Sequence, residues 1–193
     1  MLYRFSMRIL PRSTGVALAA LATLLLSGCL PSAPVVTPEP LPTSTPVFAS
    51  DADALAAATD AYARYLAVSD QILKDGGTTP DRIEAVTTGE KLETELASYT
   101  EVQLAGYHST GDTTFDHVAL QRYAPQNVDG VGIVVLYLCE DVSRVNVMDA
   151  SGTSVVSADR PARVLYEVAF DLVLPGSDHL LVANKQPWSS EPC

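Results

Sequence analysis

The stretch VGIVVLYLC, residues 131–139, is apolar at nearly every position and rich in β-branched side chains. A short, continuous apolar run of this kind is typical of a strand that is buried on both faces of a sheet. We therefore predict that residues 131–139 form the central strand of a sheet.

The residues before and after this run indicate further strands. Residues 114–123 alternate in character, which predicts a strand with Phe115 and His117 on one face and Asp116 on the other. Because neighbouring strand residues point to opposite faces, we do not expect Asp116 and His117 to contact each other. Further strands are predicted around Val147, over 163–174 and over 179–185, with turns at 149–152 and 175–176.

The residues that precede the strands have helical spacing. Apolar residues recur every three or four positions from Leu55 to Leu73, and Gly76-Gly77 ends this pattern. A short helix is predicted after Thr79, as N-cap, and Pro80. A third helix follows, with Leu92, Leu96 and Tyr99 inward, and we expect Asp70 and Glu95 to face solvent. Helices followed by strands predict an α+β fold with the helices packed on one face of an antiparallel sheet.

The first 28 residues have the layout of a secretory signal. Three arginines (4, 8 and 12) precede an apolar run over 16–26, which is shorter than the ~20 residues of a membrane span. Leu26-Ser27-Gly28-Cys29 resembles the lipobox of bacterial lipoproteins. The resemblance implies cleavage before Cys29, lipidation of its sulfur and anchoring at the extracellular face of the cell membrane. The alternative is an ordinary signal peptide that leaves Cys29 free.

Residues 29–50 form the predicted tether, and residues 51–193 the folded domain. Six prolines lie among small and hydroxyl residues between 30 and 50, so this segment is expected to be an extended spacer of at most about 65 Å. Removal of residues 1–28 leaves 9 Lys+Arg against 23 Asp+Glu and changes the net charge from −11 to −14. Such an acidic chain is not expected to bind nucleic acid.

The chain contains three cysteines. If Cys29 carries the lipid, Cys139 and Cys193 remain as an even pair in an oxidising compartment. Two free thiols, a metal site or a catalytic cysteine are the alternatives, but the chain has no C-x-x-C or H-x₃₋₅-H spacing. We favour a disulfide.

Several segments together resemble the nuclear transport factor 2-like superfamily, including Gram-positive lipoproteins that carry this domain. They are YARYLAVSDQILKDGG, TPDRIEAV, GDTTFDHVALQRYA, VLYLCEDVSRVNVMDASG and the closing W-x₄-C. The resemblance implies a cone, in which the first helix lies across a strongly curved antiparallel sheet and the open end forms a pocket. Ketosteroid isomerase uses such a pocket for catalysis, whereas many relatives bind a partner or dimerise. A cystatin-like fold without a third helix, or a helix-capped meander, is the alternative.

Few residues qualify as site residues. His117 is a weak candidate for a base or a donor, provided that its face lines the cone, and a solvent-facing strand histidine is the more common case. The tyrosines that are candidates for lining a pocket, although core packing is their commoner role, are Tyr62, Tyr65, Tyr99 and Tyr123. We expect no metal and no cofactor, because the sequence lacks G-x-S-x-G, a phosphate loop, H-E-x-x-H and EF-hand spacing.

Two functions follow from these observations. The preferred one is non-enzymatic, a cell-surface binding or scaffolding domain for an envelope protein or a small ligand. The alternative is an isomerase or dehydratase that uses His117 as base, which requires His117 to point into a cavity lined by tyrosines. Self-association through the sheet, giving a homodimer, is a third possibility.

Overall fold

The computed structural model describes residues 45–127, 131–188 and 193. The predicted signal peptide, Cys29 and most of the tether lie outside the described residues. Among the helices that are described, none combines the length and the apolar character that a membrane span requires.

Helix α1 spans Asp51–Lys74, as the spacing of its apolar residues predicts. Ser50 caps it, with its hydroxyl oxygen accepting a 3.2 Å hydrogen bond from the amide of Asp53. Gly76 and Gly77 follow the end of the helix, and both have positive φ. A Cβ atom on Gly77 would lie 2.3 Å from the carbonyl oxygen of Tyr99, so only glycine allows this close approach between the chain after α1 and the next helix.

A 3₁₀ helix over Pro80–Ala85 precedes helix α2, Gly89–Ala105. Ile83 is buried, as expected. Thr79 occupies the predicted N-cap position before Pro80, but it has φ 50° and its side chain makes no capping hydrogen bond. The segment after the 3₁₀ helix instead pairs with the sheet through a hydrogen bond from the Thr88 amide to the Val182 carbonyl.

Within the described residues six strands follow. They are β1 His108–Thr110, β2 Thr114–Tyr123, β3 Val134–Asp141, β4 Asn146–Met148, β5 Arg163–Leu172 and β6 Leu180–Pro187. The main sheet is antiparallel in the order β2-β3-β5-β6. The central, buried position predicted for 131–139 is confirmed for β3, although this strand begins at Val134 and continues to Asp141. β1 and β4 form a separate pair, so the strand predicted around Val147 does not extend the main sheet.

Two bulges interrupt the alternation predicted for β2. They lie between Asp116 and Ala119 and between Leu120 and Arg122, and His117 has φ 50°. Each bulge places one extra residue in β2, so the side chains after it point to the face opposite to the one that strict alternation predicts. As a result Phe115, Val118, Leu120 and Tyr123 all pack against the core.

The inner face of the sheet packs against α1 and α2 and forms one hydrophobic core. The largest fully buried side chains are Tyr62, Tyr99, Phe170, Ile72, Ile83, Ile133, Leu136, Leu138 and Leu180. The α+β arrangement with helices on an antiparallel sheet is therefore as predicted. The sheet is not strongly curled, so the cone implied by the family resemblance is not confirmed.

The end of the chain is attached to the central strand. The amide of Trp188 donates a 2.9 Å hydrogen bond to the Leu165 carbonyl, and its ring packs on Tyr137 of β3 at 4.8 Å between centroids. Cys193 forms a disulfide with Cys139, also on β3, with Cα atoms 5.9 Å apart. Since β5 separates β6 from β3, the bridge ties the chain end to a strand that does not neighbour β6 in the sheet.

Candidate functional site

A buried carboxylate stands where the inner face of the sheet meets α1. Glu140, the second-last residue of β3, accepts hydrogen bonds at Oε2 from the Tyr62 hydroxyl and, at 2.6 Å, from Nζ of Lys185. The side chains of Lys185 and Glu140 are only 13% and 8% exposed. Buried charges of this kind are tolerated when they are paired and hydrogen-bonded, as here.

A second buried carboxylate, that of Glu95, lies between α1 and α2. The Tyr65 hydroxyl donates a 2.7 Å hydrogen bond to Oε1 of Glu95, and Nζ of Lys91 forms an ion pair with the same oxygen. The expectation that Glu95 faces solvent is wrong, because Glu95 is buried. The polar partners on α1 and α2 offset the cost of burying this charge, and the spacing of apolar residues cannot reveal such partners.

Aromatic rings join the two ion pairs into one network. Nζ of Lys185 lies 4.3 Å from the ring centroid of Tyr166 and 5.9 Å from that of Tyr65, while Nζ of Lys91 lies 5.5 Å from the Tyr65 ring. Cation–π contacts of this length stabilise a partly desolvated ammonium group. The chain has three lysines, and two of them are in this network, which is neutral overall.

The environment raises the pKa of the two tyrosines and lowers the pKa of Glu95. Burial and the adjacent charge of Glu140 raise the pKa of Tyr62 well above its ordinary value, and burial and Glu95 do the same for the pKa of Tyr65. Burial by itself would raise the pKa of Glu95, but Lys91 and the tyrosine hydroxyls lower it below the ordinary value. Both tyrosines are therefore hydrogen-bond donors at neutral pH, and Glu95 is an acceptor.

A cleft of about 320 Å³ opens beside Glu140. Its lining residues are Glu140, Val142, Arg160, Pro161, Val164 and Tyr166. Both hydrogen bonds to Glu140 from described residues end on Oε2, and Oε1 accepts none from them. The guanidinium of Arg160 is held at the rim by the carbonyls of Val142 and Val145, at 3.0 and 2.7 Å.

Two other cavities border the helices. One of about 170 Å³ is lined by Glu90, Lys91, Thr94, Asn184 and Lys185, and reaches the network from its opposite side. The other, about 350 Å³, lies between α1 and the start of β2 and includes Asp70. The expectation that Asp70 faces solvent is wrong, because it is buried and accepts 2.8 Å hydrogen bonds from the amide and hydroxyl of Thr113.

The four tyrosines proposed as pocket-lining residues are used in the core. Tyr62 and Tyr65 bind the two glutamates, and Tyr99 donates a 2.9 Å hydrogen bond to Ser69. Tyr123 bonds the backbone of Phe48 with its hydroxyl, as donor and as acceptor. None of the four lines the cleft beside Glu140, so their hydroxyls are structural donors in the described part of the chain.

His117 lies on the solvent side of β2, and its side chain is 74% exposed. Its Nδ1 is 2.6 Å from Oδ1 of Asp116, so the expectation that these neighbours do not meet is wrong. The bulge at His117 turns the imidazole towards the preceding carboxylate. Asp116 also binds Arg163, and these hydrogen bonds from His117 and Arg163 lower the pKa of Asp116.

The residues that sequence reasoning missed are Glu140, Lys185, Lys91 and Glu95. One signal was present for Glu140, which continues the inward series Leu136 and Leu138 at a spacing of two. Among the described residues, no group of three or more His, Cys, Asp or Glu side chains is placed to hold a metal ion.

No protein-family model matches this chain, and comparison with curated proteins gives no match. Among solved structures, the chain is similar to the intermembrane space region of the chloroplast protein ARC6, with TM-score 0.50 and 10% identity, over 70% of this chain and 97% of that chain. It is also similar to Aln2 from a Streptomyces species, with TM-score 0.42 and 19% identity, over 72% and 90% of the two chains. A de novo designed β-sheet protein matches with TM-score 0.30 and 15% identity, over 72% and 94%. The likeness to the ARC6 region concerns the α+β fold alone.

Proposed function

We propose that this protein is a lipid-anchored cell-surface protein whose α+β domain binds a small ligand without catalysing a reaction. The observation that supports binding is the carboxylate of Glu140, which is held through Oε2 and borders a 320 Å³ cleft with Oε1 free of described partners. A preorganised acceptor beside a concave, largely apolar surface is typical of small-molecule sites.

The charges around the cleft limit the chemical class of the ligand. Lys185 balances the charge of Glu140, and Arg160 adds a positive charge at the rim, so a cationic ligand gains little electrostatic attraction. Val142, Pro161 and Val164 provide apolar walls, and Tyr166 adds an aromatic ring. We therefore propose a neutral ligand with an apolar body and one hydroxyl or N–H donor for Oε1 of Glu140.

The proposal also includes the lipid anchor at Cys29 and membership of the nuclear transport factor 2-like superfamily. The signal-like residues 1–28, the lipobox-like residues 26–29 and the proline-rich tether support lipidation at Cys29. The order of helices before strands, together with the quoted segments, supports membership of the nuclear transport factor 2-like superfamily. An experimental structure of the mature chain with a flat sheet would argue against that membership.

The isomerase or dehydratase alternative receives no support from this geometry. It requires His117 to point into a cavity lined by tyrosines, whereas the imidazole is exposed and the tyrosine hydroxyls bind buried groups. The interior is thus occupied by its own ion pairs. We therefore retain the binding function as the conclusion.

The ligand class is tested with two probes that share an apolar body, phenethyl alcohol and phenethylamine. We expect NMR titration of the mature chain to show shifts at Glu140, Val164 and Tyr166, with tighter binding of the neutral alcohol. Val164→Phe fills the cleft from the strand position paired with Glu140 and should abolish these shifts. Val173→Phe, just beyond the far end of the same strand, is the matched control and should leave them unchanged.

Equal shifts in the Val164→Phe and wild-type proteins would place binding elsewhere and refute the cleft as the site.

The anchor is tested separately, by incorporation of labelled palmitate in a bacterial host. We expect labelling of the wild type and none of Cys29→Ala. An unlabelled wild type would refute the anchor and leave the binding test unaffected.

A further inference from the structure

Two neighbouring hairpin loops expose large apolar side chains at one end of the domain. Val131, in the loop between β2 and β3, is 60% exposed, and Val173 and Leu174, in the loop between β5 and β6, are 46% and 65% exposed. The loops are adjacent because β3 and β5 are paired and the amide of Gly132 donates a 2.6 Å hydrogen bond to Asp171. We call Val131, Val173 and Leu174 the apolar end patch.

The chain that leads to Cys29 leaves the domain at this same end. Thr45 and Val47 line a cavity of about 140 Å³ together with residues of both loops, including Pro125 and Pro175. One residue further on, the amide of Phe48 donates a 2.9 Å hydrogen bond to the hydroxyl of Tyr123, the last residue of β2. The start of the described chain is therefore attached beside the apolar end patch.

The end patch is also poor in charge, although the chain is strongly acidic. Residues 124–127, 131–132 and 173–177 include no charged side chain, in a protein with 23 Asp and Glu. Four charged residues lie nearby: Asp171 accepts the Gly132 amide, Arg122 donates a 3.4 Å hydrogen bond to the Gly132 carbonyl, Asp178 lies at the edge of its loop, and Asp129 is outside the described residues. A surface with few charges can approach a lipid interface with little desolvation cost, and a single arginine at its edge is compatible with lipid headgroups.

We infer that the apolar end patch rests on the lipid surface of the membrane that carries the anchor. The inference rests on the anchor proposed above. The 16 residues from Cys29 to residue 44 span at most about 50 Å when extended, so an anchored domain samples the lipid surface continually at high effective concentration.

This placement orients the candidate cleft. β3 runs from Val134, near the patch, to Asp141, beside the cleft. Seven steps along a strand correspond to about 23 Å. A domain that rests on its end patch therefore presents the cleft beside Glu140 away from the membrane, towards ligands outside the cell.

The test uses the mature chain held on vesicles by a nickel-chelating lipid, with six histidines in place of Cys29. The vesicles contain phosphatidylcholine and phosphatidylglycerol with either ordinary or dibrominated acyl chains, which quench nearby tryptophan. The native Trp188 is the only tryptophan and lies at the cleft end of β6, so the otherwise unchanged chain is the internal control. The probe is Leu174→Trp in a Trp188→Phe background, with Val131→Trp as a second probe.

We expect the brominated lipid to reduce emission from positions 174 and 131 by roughly half or more, since interfacial side chains lie within about 5–10 Å of the acyl boundary. Emission from Trp188 should be unchanged. Equal emission on both kinds of vesicle at positions 174 and 131 would overturn the inference. A blue shift of the probe emission that depends on protein concentration, without quenching by the brominated lipid, would mean that the patch binds a second copy of the chain. That result would also overturn the inference.

Because the nickel lipid replaces the natural anchor, this result does not depend on lipidation of Cys29. Failure of the anchor appears only in the palmitate experiment. Failure of the docking appears only in the quenching experiment, so the two are distinguishable.

Discussion

The hydroxyl of Tyr65 on α1 donates a 2.7 Å hydrogen bond to the carboxylate of Glu95 on α2. This bond joins two helices through a buried ionised group, which Lys91 also binds. The stability of the domain should therefore depend on a polar contact as well as on apolar packing.

Replacement of Tyr65 by Phe tests this contact directly. Because the lost bond ends on a charged group, we expect the free energy of unfolding to fall by about 1.5–3 kcal/mol, measured by urea denaturation. Tyr107→Phe is the control, since the Tyr107 hydroxyl has no hydrogen bond with the described residues, and its effect should be much smaller. Equal losses in the two variants would show that the hydrogen bond from Tyr65 to Glu95 adds no stability.

Removal of the cation beside Glu95 should produce a pH-dependent loss. The folded-state pKa of Glu95 lies below its ordinary value of 4.5, so the stabilisation is present above that value and is lost as the pH falls through the lowered pKa. We expect Lys91→Met to cost roughly 3–5 kcal/mol at pH 7, because it leaves a buried charge unpaired. The cost should shrink as the pH falls, because Lys91 lowers the pKa of Glu95 and the carboxyl of the variant that lacks it becomes neutral at a higher pH than that of the wild type.

The matched control is Lys74→Met, which removes an ion pair with the exposed Asp112. A surface pair is worth at most about 1 kcal/mol, so this variant should lose little stability at pH 7. Urea denaturation of both variants and the wild type at pH 4, 5 and 7 provides the measurement. A penalty for Lys91→Met that does not change with pH would contradict the assigned role of Glu95.

The bridge between Cys139 and Cys193 is tested by Cys193→Ser. The bridge closes a loop with a sequence separation of 54 residues, and chain entropy predicts a loss of about 4 kcal/mol without it. We expect a lower melting temperature under oxidising conditions and the same melting temperature as the wild type in reducing agent. An unchanged melting temperature without reducing agent would mean that the bridge does not contribute to stability.

The bulge at His117 is tested by substitutions that differ in backbone preference. His117 has φ 50°, a region that is strained for residues with a Cβ atom and most strained for β-branched ones. We expect His117→Gly to be more stable than His117→Val by about 1–2 kcal/mol. The same pair at Gln186, an exposed residue in regular pairing with Glu167, should show the opposite order, and a common order at both sites would argue against the bulge.

The sequence predicts the elements that depend on local information. The bounds of α1 follow from its apolar spacing, the Ser50 cap and Gly76-Gly77. The bounds of β2 match its alternating segment at both ends, and the burial of β3 follows from its continuous apolar run. Each of these features is encoded within a few residues of the element that it determines.

The candidate site was not predictable in the same way. Glu95 and Asp70 are charged residues at positions where helical spacing indicates solvent exposure, yet both are buried. Each has a partner far away in the chain, since Tyr65 bonds Glu95 and Thr113 bonds Asp70. The bulge that turns His117 away from the interior depends on the pairing of β2 with β3. Such features arise only when segments far apart in the chain are brought together.

By itself, the sequence determined the α+β class, the long first helix and the apolar central strand, because propensity, capping and periodicity act locally. Only the tertiary structure decided that Tyr62 and Lys185 meet at Glu140, at the edge of a cleft. The physical reason is that a buried charge is stable only where partners from other elements reach it, and those partners are set by long-range packing.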